Sequence, residues 1–468
     1  KAIDSLERKQ PTRPTAANLR GRVQLLQGNR AAAREAFEAA LKIDPVFFAA
    51  AASLAKLDME DRKPEQALKR FETLLATDTK NLPAQMAIIS LKAESGLSKP
   101  EIAELLSQLI KTNPTELGPR LALVRLQIER KEAKLALAAA QDALASIPDK
   151  PELLDMLSRA ELLNGQTNQA ITSLNKWASL QPSSPQPSMR LAEIYMDQKD
   201  SASAIQHLKR ALNAKPDHVP AQRALMGLEI EAGRVGEARA IARAVLSQHP
   251  KDAVGHMLEG DLEQSQKNWA AAITAYRAGL AKNPGTELAV RLHRTLLAAD
   301  KASEAQSFEA QWLKQHPADA AFAFYLADFA LSQGRFELAE QRYLGVLKQL
   351  PDNAMALNNV AWLMNRGKRS EAALEYAERA VKLQPRNASY MDTLADVLVA
   401  RGQLERALGV QKQAVEAAPE VHEHRLHLAR YYAASGKKTE AREELNRLAK
   451  LGDKFRSQEE VKKLLGSL

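Results

Sequence analysis

The residues best placed to do chemistry in this chain of 468 residues are three histidines in the run HEHRLH: His422, His424 and His427. Neutral imidazole is a common metal ligand, and one helix face brings together side chains three or four residues apart. His424 and His427 have that spacing, whereas His422 points elsewhere. The run reads as exposed histidines at the start of a helix, and no metal site is expected. The chain contains no cysteine, which removes thiol nucleophiles, thiolate ligands and disulfides together. It has no Gly-rich phosphate loop, no GxSxG elbow and no HExxH pair. Its carboxylates are interleaved with Lys and Arg at helical spacing, the pattern of solvated helix faces. No catalytic residue and no cofactor are expected, and the chain is not read as an enzyme.

The elements that would have to position any site are set by a period. Prolines recur about every 34 residues, at Pro11, Pro45, Pro114, Pro148, Pro182, Pro216, Pro250, Pro284, Pro317, Pro351, Pro385 and Pro419, with Thr79 where one is missing. A period of this length marks one supersecondary unit repeated along the chain. In the register where Pro45 is position 32, position 20 is alanine almost throughout: Ala33, Ala67, Ala136, Ala170, Ala204, Ala238, Ala272, Ala305, Ala339, Ala373, Ala407 and Ala441. The exception is Ile102, in the unit whose spacing is 35. Position 8 is usually small, as at Gly21, Ala55, Ser90, Ser158, Gly260 and Ala327. Small residues let two helices of one unit approach closely, and Phe37, Phe71, Tyr276 and Tyr343 at position 24 are expected to fill the gap toward the next unit. Gly28, Gly165, Gly233, Gly334, Gly402 and Gly436 fit the left-handed turn that ends a first helix, and the proline stops the second.

Small at 8, Ala at 20, aromatic at 24, Ala at 27 and Pro at 32 resembles the tetratricopeptide repeat. The resemblance implies an all-α fold, a right-handed superhelical solenoid of about thirteen helix-turn-helix units over residues 14–453. Residues 1–11 read as the second helix of a unit that begins upstream, and residues 454–468 as a capping helix. Ser457 and Glu460 have the spacing of a capping box, and Val461, Leu464 and Leu465 form an apolar face. The unit at 79–114 breaks the pattern, so a local irregularity or flex point is expected there.

The formal charge of +9 is spread among acids in every unit, and the longest basic cluster is Arg366, Lys368 and Arg369. A nucleic-acid partner wants a continuous stripe, so none is expected. In the family that the chain resembles, positions 2, 5, 9, 12 and 13 of the first helices line a groove. That mapping gives Asn18, Arg22, Arg125, Asp155 and Arg159 in the N-terminal half. In the C-terminal half it gives Met257, Asp261, Phe324, Asp328, Asn358, Trp362, Asp392 and Asp396. The second set implies a protein partner, an extended segment carrying basic and apolar residues, with the aromatics as anchors. A glycan is not indicated, since few aromatics reach the groove.

Residues 356–419 resemble more narrowly the large TPR lipoproteins found with exosortase (PEP-CTERM) sorting and exopolysaccharide production. That resemblance implies a periplasmic scaffold, with any lipid anchor upstream of Lys1. Two other readings stay open: a generic cytosolic adaptor, and the recruiting arm of an enzyme whose catalytic domain lies upstream.

Overall fold

The computed structural model describes residues 2–468, and all regular structure among them is helical: 28 α-helices and a short 3₁₀ turn, Gly452–Lys454. From Thr15–Leu26 to Lys438–Ala449 the helices pair in chain order as thirteen hairpins. They divide between two compact units, residues 1–228 and 229–468.

Each hairpin closes through the same left-handed turn. Gly28, at φ +79°, donates to Leu25 O at 3.0 Å, and Asn29 donates to Gln24 O at 2.9 Å. This paired arrangement satisfies the last carbonyls of the first helix. The glycines singled out by the period all take positive φ, and where the sequence offers no glycine the turn is made anyway. Arg62, Lys131, Lys199, Lys267, Asp300 and Lys368 occupy it at φ between +57° and +61°. The long side chains reach water there, and the turn's hydrogen bonds hold the backbone in a region most residues avoid.

Alanine at position 20 lies at the centre of the packing: Ala33, Ala170, Ala238, Ala339 and Ala407 are fully buried. The aromatic at position 24 packs toward the next unit, Phe37 with Ala50, Leu54 and Leu57 and Tyr276 with Leu288, Leu292 and Leu296, and it also lies directly on position 8 of its own unit. A Cβ built on Gly21 would stand 2.5 Å from the Phe37 ring, and one on Gly260 would stand 2.3 Å from the Tyr276 ring. The small residue is therefore the seat of the ring. In the unit at 286–319 this pair is exchanged for His293 and Glu309, whose side chains approach to 4.0 Å.

The unit at 79–114 departs as its spacing implies. Four residues, 95–98, separate Leu82–Glu94 from Lys99–Thr112, where three separate Phe48–Glu60 from Pro64–Thr77. The extra residue lies in the turn, so counting from the helix start puts Ile89, not the exposed Ser90, where Ala55 sits in the preceding unit. Ile102 takes the place of the alanine in the second helix. With isoleucine at both close-approach positions, Leu82–Glu94 buries only Ala84.

At the C-terminus, the helix Gln458–Ser467 covers the last hairpin, and Phe455 and Val461 are buried against Leu426, Leu445 and Leu448. Ser457 makes no side-chain cap, and the Glu460 carboxylate instead pairs with Arg430. A cation offered by the neighbouring helix outcompetes the backbone amide. A reciprocal capping box does form at Ser98 and Glu101.

Candidate functional site

In the unit 229–468, the first helices of successive hairpins are Val254–Ser265, Thr286–Ala298, Ala320–Ser332, Ala354–Arg366, Ala388–Ala400 and His422–Ala434. The repeat, with one step of 33 residues and the rest of 34, places Asp261, Arg294, Asp328, Trp362, Asp396 and Arg430 at equivalent points on them. Charge therefore alternates along this row, with an indole in the middle. Arg294 and Arg430 were not among the residues picked from the sequence, although the same step finds them.

Of the sequence-predicted groove residues, Met257 does not reach a surface: it is buried in the core with Ile273, Tyr276 and Leu292. Asp261 accepts a hydrogen bond from the Tyr276 hydroxyl at 2.7 Å and pairs with Arg291 Nε at 2.8 Å. Asp328 is exposed and accepts from the Tyr343 hydroxyl, and Asp396 accepts from the Tyr431 hydroxyl. Burial first, and then the facing carboxylate, hold all three tyrosines protonated, well above the usual phenol range. The acids at this position thus have an internal duty, orienting a core tyrosine, whatever else they meet.

Phe324 is half-buried, with its ring edge-on to Tyr343 at 5.5 Å. Asn358 is half-buried, and its side-chain oxygen has no hydrogen-bond partner. Trp362 is 38% exposed, with its ring tilted against Phe336 at 6.1 Å. The Arg366 guanidinium lies 4.3 Å from the Phe336 ring and 5.7 Å from the Trp362 ring. This cation–π cluster fixes the indole while leaving part of its face to solvent.

Asp392 is enclosed. Gln411 Nε2 donates to its Oδ1 at 2.6 Å, and His427 Nδ1 lies 2.9 Å from the same oxygen. Of the three histidines expected to be exposed, His424 is buried and His427 is half-buried, because the preceding hairpin packs over both. His422 faces away, edge-on to Phe455 at 5.9 Å.

An open depression of about 410 Å³ lies on the same face, lined by Asp261, Gln264, Trp269, Arg291 and Arg294. In the unit 1–228, Asn18 is buried, and Arg22 and Arg125 are exposed. There Asp155 pairs with Arg159 at 2.6 Å, beside a depression of about 390 Å³ that Arg159, Arg190 and Glu193 line. No helix among the described residues is long and apolar enough to cross a membrane.

Helical hairpins in unbroken succession define a helical-repeat protein, and the comparisons name the repeat. Family models described as tetratricopeptide repeat match residues 1–46, 161–228, 195–262, 291–349, 330–388 and 393–454. Together they span more than half of the chain, which belongs to the tetratricopeptide-repeat family. A TPR repeat-containing protein of Pseudomonas aeruginosa is 26% identical over 246 residues. That match covers 51% of this chain and 34% of the relative, so the chain spans about a third of its length. Among solved structures, yeast Tom70 is similar at TM-score 0.42 and 12% identity, over 91% of this chain and 96% of that one. The MamA RS-1 ArsTM double mutant is similar at TM-score 0.33 and 22% identity, over 37% of this chain and 96% of that one.

Proposed function

We propose that the protein is a non-catalytic interaction scaffold that holds an extended segment of another protein across the first helices of residues 286–366. The observation that carries this reading is Trp362: a large apolar side chain, part-exposed and held rigid by Phe336 and Arg366, on a row whose other members are charged. Rigid, part-exposed aromatics are the usual anchors of protein interfaces. Asp328 offers a carboxylate one repeat before it, and Arg294 an exposed cation one repeat earlier still. A segment that sets an apolar side chain on Trp362, a basic one at Asp328 and an acidic one at Arg294 satisfies all three. Site-specific photocrosslinking from position 362 in the native host tests this by capturing the partner.

The resemblance of residues 356–419 to the exosortase-associated lipoproteins supports a narrower placement. On it, the scaffold works at the periplasmic face of a membrane, tethered by lipid, and assists protein sorting together with exopolysaccharide production or export. Cell fractionation and the intact mass of the mature protein test that part separately. A lipidated, membrane-bound product supports it, and an unmodified cytosolic one leaves a generic adaptor.

A further inference from the structure

We propose that Asp392, Asp396, His427 and His424 form a binding site for one first-row divalent cation, zinc by its donor set, clamping two consecutive repeats together. Asp392 and Asp396 come from the helix Ala388–Ala400, and both histidines come from His422–Ala434. Asp392, Asp396 and His427 each offer a ligand atom, and these atoms lie within 4.8 Å of one another. Two ligand atoms of one tetrahedral zinc ion stand about 3.3 Å apart. Asp392 Oδ1 already has His427 Nδ1 at 2.9 Å and His424 Nδ1 at 3.1 Å. Asp392, Asp396 and His427 make the compact set, and His424, which stands beside Asp392 alone, completes it on a rotation of its ring toward the ion.

His424 supplies the independent sign that something is held here. It is 5% exposed, and neither ring nitrogen has a hydrogen-bond partner. Its Nδ1 faces Asp392 Oδ1 but out of line for a hydrogen bond. A buried imidazole with both nitrogens unpaired is costly. Gln411 Nε2 and His427 Nδ1 already occupy the lone pairs of the Asp392 oxygen that His424 Nδ1 approaches, which leaves the His424 imidazole no acceptor there. A cation among these atoms resolves both conflicts, because the imidazoles then present lone pairs to the ion instead of competing N–H groups to the carboxylate.

The surroundings suit that role. Gln411 Nε2 donates to Asp392, and the Tyr431 hydroxyl donates to Asp396 Oδ1, leaving a second oxygen of Asp396 for the ion. Such outer hydrogen bonds orient metal-binding carboxylates. Two carboxylates with two imidazoles suit zinc over calcium or magnesium, which favour all-oxygen shells. The sequence conceals the site because its ligands lie a full repeat apart, and HEHRLH alone supplies only half of them. The site lies one repeat beyond Trp362 on the same row, outside residues 286–366, and does not rest on the partner reading.

The test uses the untagged full chain, stripped with EDTA and dialysed against zinc chloride, with bound zinc counted by mass spectrometry. Cobalt(II) chloride serves as a second, optical probe. One zinc per chain is expected, with a melting temperature raised by several degrees and cobalt absorption bands of low coordination number. Asp396→Asn and His427→Gln, each checked for fold by circular dichroism, should weaken zinc binding at least tenfold, while His422→Ala leaves it unchanged. The proposal is overturned if the folded wild-type chain takes up no zinc and gives no such cobalt bands. It is equally overturned if the folded Asp396→Asn and His427→Gln variants bind zinc as tightly as wild type.

Discussion

Adding one methyl group at Gly260 should destabilise the protein, although helix propensity alone predicts the opposite. Gly260 lies inside Val254–Ser265, where glycine to alanine normally gains about 1 kcal/mol. Here the new Cβ would meet Tyr276 at 2.3 Å from Cε1, 2.5 Å from Cδ1 and 2.7 Å from Cζ. Carbon atoms rest about 3.5–4.0 Å apart, so the ring has to move by more than about 1 Å. It is fully buried, and its hydroxyl lies 2.7 Å from Asp261 Oδ1 and 3.0 Å from Gln264 Oε1. Overpacking costs about 1–3 kcal/mol, and disturbing the hydroxyl contact adds about 1 kcal/mol. Against the gain in propensity, Gly260→Ala should lose about 2 kcal/mol. Gly409, in Leu404–Ala417, is the control: a Cβ there meets nothing within 4 Å, so Gly409→Ala should gain about 0.5–1 kcal/mol. Because repeat arrays need not unfold in two states, urea melts should be read with hydrogen exchange resolved along the chain. Faster exchange is expected around residues 254–298 in Gly260→Ala. Stabilisation of both variants alike would refute the seating of the ring on position 8.

Three further outcomes follow from the same structure. Amides of residues 82–112 should exchange faster than those of the hairpins on either side, because Ile89 and Ile102 hold this pair of helices apart; uniform protection across 48–146 would contradict it. His293 is pushed down to about 4 from the usual 6.5, by burial first and then by the Arg342 charge, with Tyr325 and Glu309 also facing it. Since the folded state binds this proton more weakly than the unfolded state, its contribution is full above pH 6.5. It is lost progressively as pH falls toward 4, by about 3 kcal/mol in total, and His293→Gln should flatten that part of the stability profile between pH 7 and 4.5. Trp362→Ala should cost less than about 1 kcal/mol of stability, and Phe324→Ala about 2 kcal/mol because Phe324 packs on Tyr343, as paired thermal melts would show.

The repeat was legible in the sequence because a hairpin that packs only on its neighbours must solve the same packing problem every 34 residues. Ala33 and its equivalents, Gly28 and its equivalents and the spaced prolines are those repeated solutions. What the period did not carry was the second duty of position 24. Its packing toward the next hairpin was legible, but the seating of Phe37 on Gly21 and of Tyr276 on Gly260 was not. The turn rule was also too narrow, since Lys199 and Lys368 take the conformation read from glycine alone. At the candidate site the family positions did not carry accessibility. Met257 is core, and Asp392 is enclosed by Gln411, His424 and His427. The alternating sign of the row was missed because Arg294 and Arg430 were not set beside Asp261, Asp328 and Asp396. The cluster at Asp392 joins two repeats, a relation that no single motif can display.

The central claim is that Trp362 and its charged neighbours hold a partner segment. Its most direct test places a photoreactive amino acid at position 362 or 328, and for comparison at the exposed position 383 on the second helix Ser370–Leu383, in cells of the native host. A discrete crosslinked protein should form from positions 362 and 328 and not from 383, and the crosslink from 362 should be lost when Arg294 and Asp328 are both reversed in charge. Equal crosslinking from all three positions, or none from 362 and 328, would contradict the account.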